Sequence, residues 1–214
     1  GRLAAAQMEP VVGGTAEGCR QAGCALVGGE MAEHGDSHPP GEYDLAGFAV
    51  GVVERARIID GTAVRVGDQV LGLASTGLHS NGFSLARRIV FDVMRLGVRD
   101  SLPGTGRSVA DEMLEPTRIY VRSIQKLLQW VEVRAMAHVT GGGLTGNVPR
   151  VLPAGCRARV SRSAWSIPPV FEVLRKAGHV DDAEMFRTFN MGIGFVVIVP
   201  PTAAEAAARL LRDA

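Results

Sequence analysis

Apolar positions along the chain fall into two kinds of run. Short unbroken runs read as buried strands: Cys24–Val27, Asp44–Glu54, Val70–Ala74, Val133–Thr140 and Gly194–Val199, with a shorter one at Ala158–Val160. Runs that place apolar residues three and four apart read as helices. Pro10–Ala22 puts Val12, Ala16 and Cys19 on one face. Leu85–Val90, Leu144–Leu152 and Pro168–Ala177 are further helices, and Glu115–Tyr120 opens one whose buried stripe is Tyr120, Ile124, Leu127 and Leu128. Pro10 and Pro116 suit first turns, where a missing N–H costs nothing, and Gly23 suits a helix end. Thr202 and Glu205 have the spacing of a capping box for an Ala-rich last helix. Gly97–Gly106 reads as a Gly/Pro-rich link, and Gly192 with Gly194 predicts a bulge or close packing ahead of the last strand.

Strands and helices interleave along the chain. Turn signals around Gly61 and Gly67 place a boundary there, giving regions 1–61 and 62–214. Composition adds only exclusions. Of 214 residues, 46% are hydrophobic and 21% charged, and 23 Lys+Arg against 22 Asp+Glu leave a net charge of +1. No basic field and few aromatics (5%) argue against a nucleic-acid partner. No apolar run nears the roughly 20 residues that span a membrane, and no signal-type segment opens the sequence. Cys19, Cys24 and Cys156 lack metal spacing and read as reduced thiols, which fits a cytoplasmic setting.

The chemistry concentrates where strands run into glycine. After Val70–Ala74 comes Ser75-Thr76-Gly77-Leu78-His79-Ser80-Asn81-Gly82-Phe83-Ser84, then a helix. A helix start carries free N–H groups that bind anions, and Gly82 permits close approach. Ser80, Asn81 and Ser84 are donors or caps, and His79 is the side chain that exchanges a proton near neutral pH. The same residues equally describe a capped turn with a surface histidine. The run Val133–Thr140 empties into Gly141-Gly142-Gly143, whose entropic cost is met either by ligand contact or by a tight turn. No Lys-Ser or Lys-Thr follows, so it is not a Walker loop. Glu30, behind Gly28 and Gly29, is either a Mg²⁺ ligand or a solvated glutamate. His34 and His38 beside Glu33 and Asp36 raise a zinc site, without a partner motif.

Taken together, Gly23–Glu30, Leu78–Ser84, Leu114–Tyr120, His138–Gly143 and Thr188–Gly192 recur in this order in one family. The chain resembles the aminoimidazole ribonucleotide synthetases, the phosphoribosylformylglycinamidine cyclo-ligases of purine biosynthesis, over nearly its whole length. The resemblance implies an α/β to α+β fold in two domains: residues 1–61 as the later part of a dimerising, ATP-site α/β domain and 62–214 as a truncated α+β domain. It implies ATP- and Mg²⁺-dependent ring closure of formylglycinamidine ribonucleotide through a phosphorylated amide, in a cytoplasmic homodimer. His79 is then the catalytic residue. Ser80, Asn81, Gly82, Thr140, Gly141, Gly142 and Gly143 bind substrate or phosphate, and Gly28, Gly29 and Glu30 bind nucleotide, with Glu30 on the metal. This sequence has Met31 where the family usually has Thr. It also lacks the family's N-terminal nucleotide-binding motif and the end of the C-terminal domain, so a fragment is expected. The alternatives are a non-catalytic dimerising fragment and another ATP-using member of the superfamily, such as a selenophosphate synthetase or thiamine phosphate kinase relative.

Overall fold

The computed structural model describes residues 4–33, 39 and 41–212. The proposed zinc group at His34, Asp36 and His38 lies outside them. The chain divides into two compact units, Gly1–Ile58 with Ile119–Arg122, and Ile59–Arg118 with Ser123–Ala214.

In the first unit one helix dominates. Helix α1, Ala5–Ala22, starts earlier than the periodicity predicts, because Ala5, Ala6, Gln7 and Met8, all good helix formers, carry it backwards to an extended Ala4. Pro10 therefore lies inside the helix rather than in its first turn. The helix ends at Gly23 in the left-handed conformation (φ 73°), as expected. Beyond it the two expected strands do not form: 24–27 and 44–54 are irregular. Val27 is 94% exposed, Phe48 96% and Val52 102%. A strand needs a neighbour to take its N–H and C=O groups and to cover its apolar face. The described residues of this unit contain no other strand, so apolar runs alone do not make one.

The second unit has its partners. Strand β1 (Gln69–Ala74) leads into α2 (Phe83–Arg87), which widens into a π turn at Arg88–Val93. A short hairpin, β2 (Ser101–Leu102) and β3 (Arg107–Ser108), occupies part of the expected link, and α3 (Val109–Met113) follows, capped by Ser108. Residues 115–120 are not helical, and α4 runs from Val121 to Trp130. Pro116 thus serves an extended approach. The reason lies in its neighbours: 116–118 bond the loop that follows β1, as described below. Strand β4 (Ala135–His138) leads into α5 (Gly143–Asn147), and α6 (Pro169–Ala177) and α7 (Asp182–Thr188) precede β5 (Ile193–Val199). The chain closes with α8 (Ala204–Arg212), entered through a 3₁₀ turn at Pro201–Ala203, so Thr202 sits in that turn and not before it. Ala158–Val160 forms no strand.

The sheet is antiparallel in the order β1-β5-β4, with β5 central. That explains why β5 is buried along nearly all its length. One core lies among Leu78, Ala86, Ile89, Phe171, Leu174, Met185 and Phe189. A second lies among Val64, Ala135, Ala137, Val139, Leu144, Val148, Val196 and Ile198. Both cores are built around the two loops that leave β1 and β4.

Candidate functional site

The loop after β1 is fastened from behind by one buried side chain. Asn190 donates through Nδ2 to the carbonyls of Gly77 (2.8 Å) and Leu78 (3.2 Å). Its Oδ1 accepts from Ser75 Oγ (2.9 Å) and from the Gly192 N–H (2.8 Å). All of the amide's donors and acceptor are used, which is the condition for burying it.

His79 is held just as firmly. It is 3% exposed and has a positive φ of 55°. Its Nε2 accepts from the N–H of Thr76 (3.1 Å) and from the N–H of Arg118 (3.4 Å). A nitrogen that accepts carries no proton, so the ring is the neutral Nδ1–H tautomer. Burial pushes its pKa down to about 4, and the charges of His138 and Arg118 act in the same direction. At neutral pH His79 is therefore uncharged. Thr76 Oγ1 donates to Pro116 O (2.7 Å), and Ser80 Oγ lies 3.3 Å from Thr117 Oγ1. The extended segment 115–118 thus runs along the histidine loop. Arg107 joins its base, at 2.6 Å from Glu115 and 3.7 Å from Glu112, whose buried carboxyl is pushed up by its burial.

The loop after β4 closes on a different asparagine. Asn147, 5% exposed, donates from Nδ2 to the carbonyls of Thr140 (3.2 Å), Gly141 (3.3 Å) and Gly143 (2.8 Å). Its Oδ1 accepts from Thr140 Oγ1 (3.2 Å). Gly142 and Gly143 have φ of 100° and 59°. A Cβ on Gly143 would overlap the carbonyl oxygen of Phe186, and one on Gly82 the Phe189 ring. Gly143 N–H donates to Thr140 O (3.0 Å). Close packing against 186–189 therefore accounts for two of the glycines the sequence singles out.

The two loops meet where the Gly141 N–H donates to Asn81 Oδ1 (2.9 Å). His79, Ser80, Asn81, Gly82, Thr140, Gly141, Gly142 and Gly143 thus form one cluster. Ser80 and Gly141 are its exposed members, and Asn81, Gly82, Thr140 and Gly142 are half-buried. Gly28, Gly29 and Glu30 belong to the first unit, in an exposed irregular stretch. No three His, Cys, Asp or Glu residues gather to hold a metal among the described residues, so Glu30 stands without companion ligands there. A cavity of about 720 Å³ adjoins α5, lined by Leu144, Val148, Trp165, Phe186 and Arg187 among others, and His79 is not part of its wall.

Asn147, Asn190 and Thr117 go unassigned in a reading of the sequence. Asn147 carries one usable signal: asparagine is disfavoured in helices unless its side chain has backbone to bond.

Residues 65–214 match the C-terminal domain described as AIR synthase related protein, and residues 2–53 match the corresponding N-terminal domain. The chain belongs to the AIR synthase related family. Its relatives include proteins named phosphoribosylformylglycinamidine cyclo-ligase. That of Citrifermentans bemidjiense is 53% identical over 208 residues, 95% of this chain and 60% of the relative. That of Geobacter metallireducens is 56% identical over 200 residues, 94% and 58%. That of Anaeromyxobacter sp. (strain K) is 56% identical over 212 residues, 99% and 61%. The chain spans about three-fifths of the length of these relatives. Both domains of the family are represented in it, in agreement with the mixed α/β class read from the sequence. Among the described residues no helix is long and apolar enough to cross a membrane.

Proposed function

We propose that this chain serves the ATP-dependent closure of formylglycinamidine ribonucleotide to aminoimidazole ribonucleotide, in the cytoplasm, as part of a homodimer. The observation that carries the proposal is its 53–56% identity to cyclo-ligases across nearly its whole length. The domain boundary in this proposal lies near Gly61. ATP supplies a phosphoryl group that makes the amide oxygen a leaving group, and Mg²⁺ accompanies the nucleotide. Among the described residues no group of His, Cys, Asp and Glu gathers to seat that ion.

This chain's own residues then have separable tasks. Phosphoryl transfer is mainly positioning and charge neutralisation. The Ser80 and Thr117 hydroxyls, 3.3 Å apart, offer donors to an anionic oxygen at the loop cluster. The Gly142 backbone, with nothing closer than 3.5 Å to its Cβ position, allows that oxygen close, while the N–H groups of Gly141 and Gly143 are already committed to Asn81 and Thr140. His79 works as a neutral imidazole: it fixes the 76 and 118 amides through Nε2, and any proton it exchanges sits on Nδ1. In this proposal Glu30 and its two glycines serve the nucleotide. The test is product stoichiometry with the whole protein. Formylglycinamidine ribonucleotide, ATP and Mg²⁺ should give ADP and a diazotisable aminoimidazole in equal amounts. ADP release without the amine overturns ring closure.

A further inference from the structure

The C-terminus of α1 brings two thiols together by a backbone rule. Cys24 N–H donates to Cys19 O (3.1 Å) and Gly23 N–H to Arg20 O (3.3 Å), with Gly23 left-handed at φ 73°. This pair of crossed bonds is a Schellman ending, in which the side chains two places past the cap and three places before it face each other. Here both are cysteines. Cys24 Sγ lies 3.8 Å from Cys19 O, and the Cys24 thiol beside it pushes the Cys19 thiol up, with burial adding to the effect. Cys24 is exposed and Cys19 half-buried. Residues joined by such a bond have Cα atoms near the range a disulfide spans, about 4.4–6.8 Å. The charged neighbours on this turn, Glu17 and Arg20, are paired with each other at 2.6 Å.

We propose that Cys19 and Cys24 are a redox-active dithiol, oxidised to an intramolecular disulfide by a low-molecular-weight disulfide such as oxidised glutathione. The exposed Cys24 thiolate attacks one sulfur of the oxidant. A Cys24–glutathione bond forms, the oxidant's S–S bond breaks, and one glutathione thiolate leaves. Cys19, having lost its proton to water, attacks the Cys24 sulfur and expels the second glutathione. Two protein thiols are oxidised by two electrons, and one disulfide is reduced to two thiols. The new bond ties the end of α1 to the start of the stretch that carries Gly28, Gly29 and Glu30, fixing how that stretch leaves the helix.

The native chain is incubated with oxidised glutathione, remaining thiols are alkylated, and the product is digested with trypsin without reductant. Cleavage after Arg20 separates the two cysteines, so the disulfide appears as Leu3–Arg20 joined to Gln21–Arg55. The joined peptide should form at least about tenfold faster in the native chain than in urea, because the fold pre-aligns the thiols. Cys19→Ser should stop at a glutathione adduct on Cys24, and Cys24→Ser should give no joined peptide and leave Cys19 largely unmodified. A native chain that stops at the adduct, or joins no faster than the unfolded chain, overturns the proposal.

Discussion

At the first strand-to-helix junction of the second unit, the left-handed glycine, Gly82, packs on the ring of Phe189; at the second, Gly143 packs on the carbonyl of Phe186. Each loop has a buried asparagine to take its polar backbone groups. The reach of the two asparagines differs. Asn147 bonds groups four to seven residues away, so its loop carries its own clamp. Asn190 bonds Gly77 and Leu78 across 113 and 112 residues, so the histidine loop is complete only when the far end of the chain arrives. One loop is shaped locally; the other reports on tertiary structure.

The sharpest way to break the comparison is Gly143→Ala. Its Cβ meets backbone, which cannot rotate away, so a loss of about 4 kcal/mol is expected, read as a large fall in urea midpoint. Gly82→Ala meets a side chain and should cost visibly less. Next come the asparagines. Asn190→Ala leaves buried carbonyls unpaired and should cost about 3 kcal/mol. It should also loosen His79, seen as faster amide exchange at Thr76 and Arg118. Asn147→Ala should cost about 2 kcal/mol without changing exchange at those two positions.

A third test uses pH. The folded-state pKa of His79 lies at about 4, below its ordinary 6.5. As pH falls, the unfolded chain takes up this proton first, so the contribution to stability is present above pH 6.5 and lost as pH falls through about 4. The loss is at most about 3 kcal/mol. His79→Asn should flatten the stability profile between pH 7 and pH 4, whereas the buried Glu112, which responds to pH in the opposite sense, is common to both proteins. The smallest structural effects are expected at the open positions. Gly142→Ala meets no backbone closer than 3.5 Å, so it should cost about 1–2 kcal/mol, from its positive φ alone. Ser80→Ala should change stability by less than about 0.5 kcal/mol while weakening phosphate binding, measured by calorimetry on the whole protein.

What could be read from the sequence follows the same division between local and distant causes. The strands β1, β4 and β5, the helices α5 and α6 and the left-handed Gly23 all announce themselves through short-range pattern, because each is bounded by its own glycines or prolines. The helix expected to open at Glu115–Tyr120 forms, with Ile124 and Leu127 buried as read, but starts only at Val121, because Pro116 O and the Arg118 N–H are bonded to Thr76 and His79, residues some 40 positions earlier. The strands expected at Cys24–Val27 and Asp44–Glu54 fail for want of a neighbour, which composition does not reveal. At the site, His79 and its glycines stand out by type. The neutrality of His79 does not, because it comes from burial and from two amides brought in by folding. Asn190 stands in a recurring segment, Thr188–Gly192, but its task is hidden there, because the carbonyls it bonds lie more than 110 residues earlier.

The irregularity between β1 and β5 has a consequence for heredity as well as geometry. Leu73 faces Phe195 but Ala74 faces Ile193, so Gly194 is skipped on that edge, while its carbonyl still accepts from Val139 on the other edge. Gly194 thus acts as a phase shifter, moving the chain by one count between strand and loop. Deleting this one residue would turn everything before it by half a strand period and point Asn190 away from Gly77. A lost codon here, harmless to composition and hydropathy, would unlatch the histidine loop from the far end of the gene.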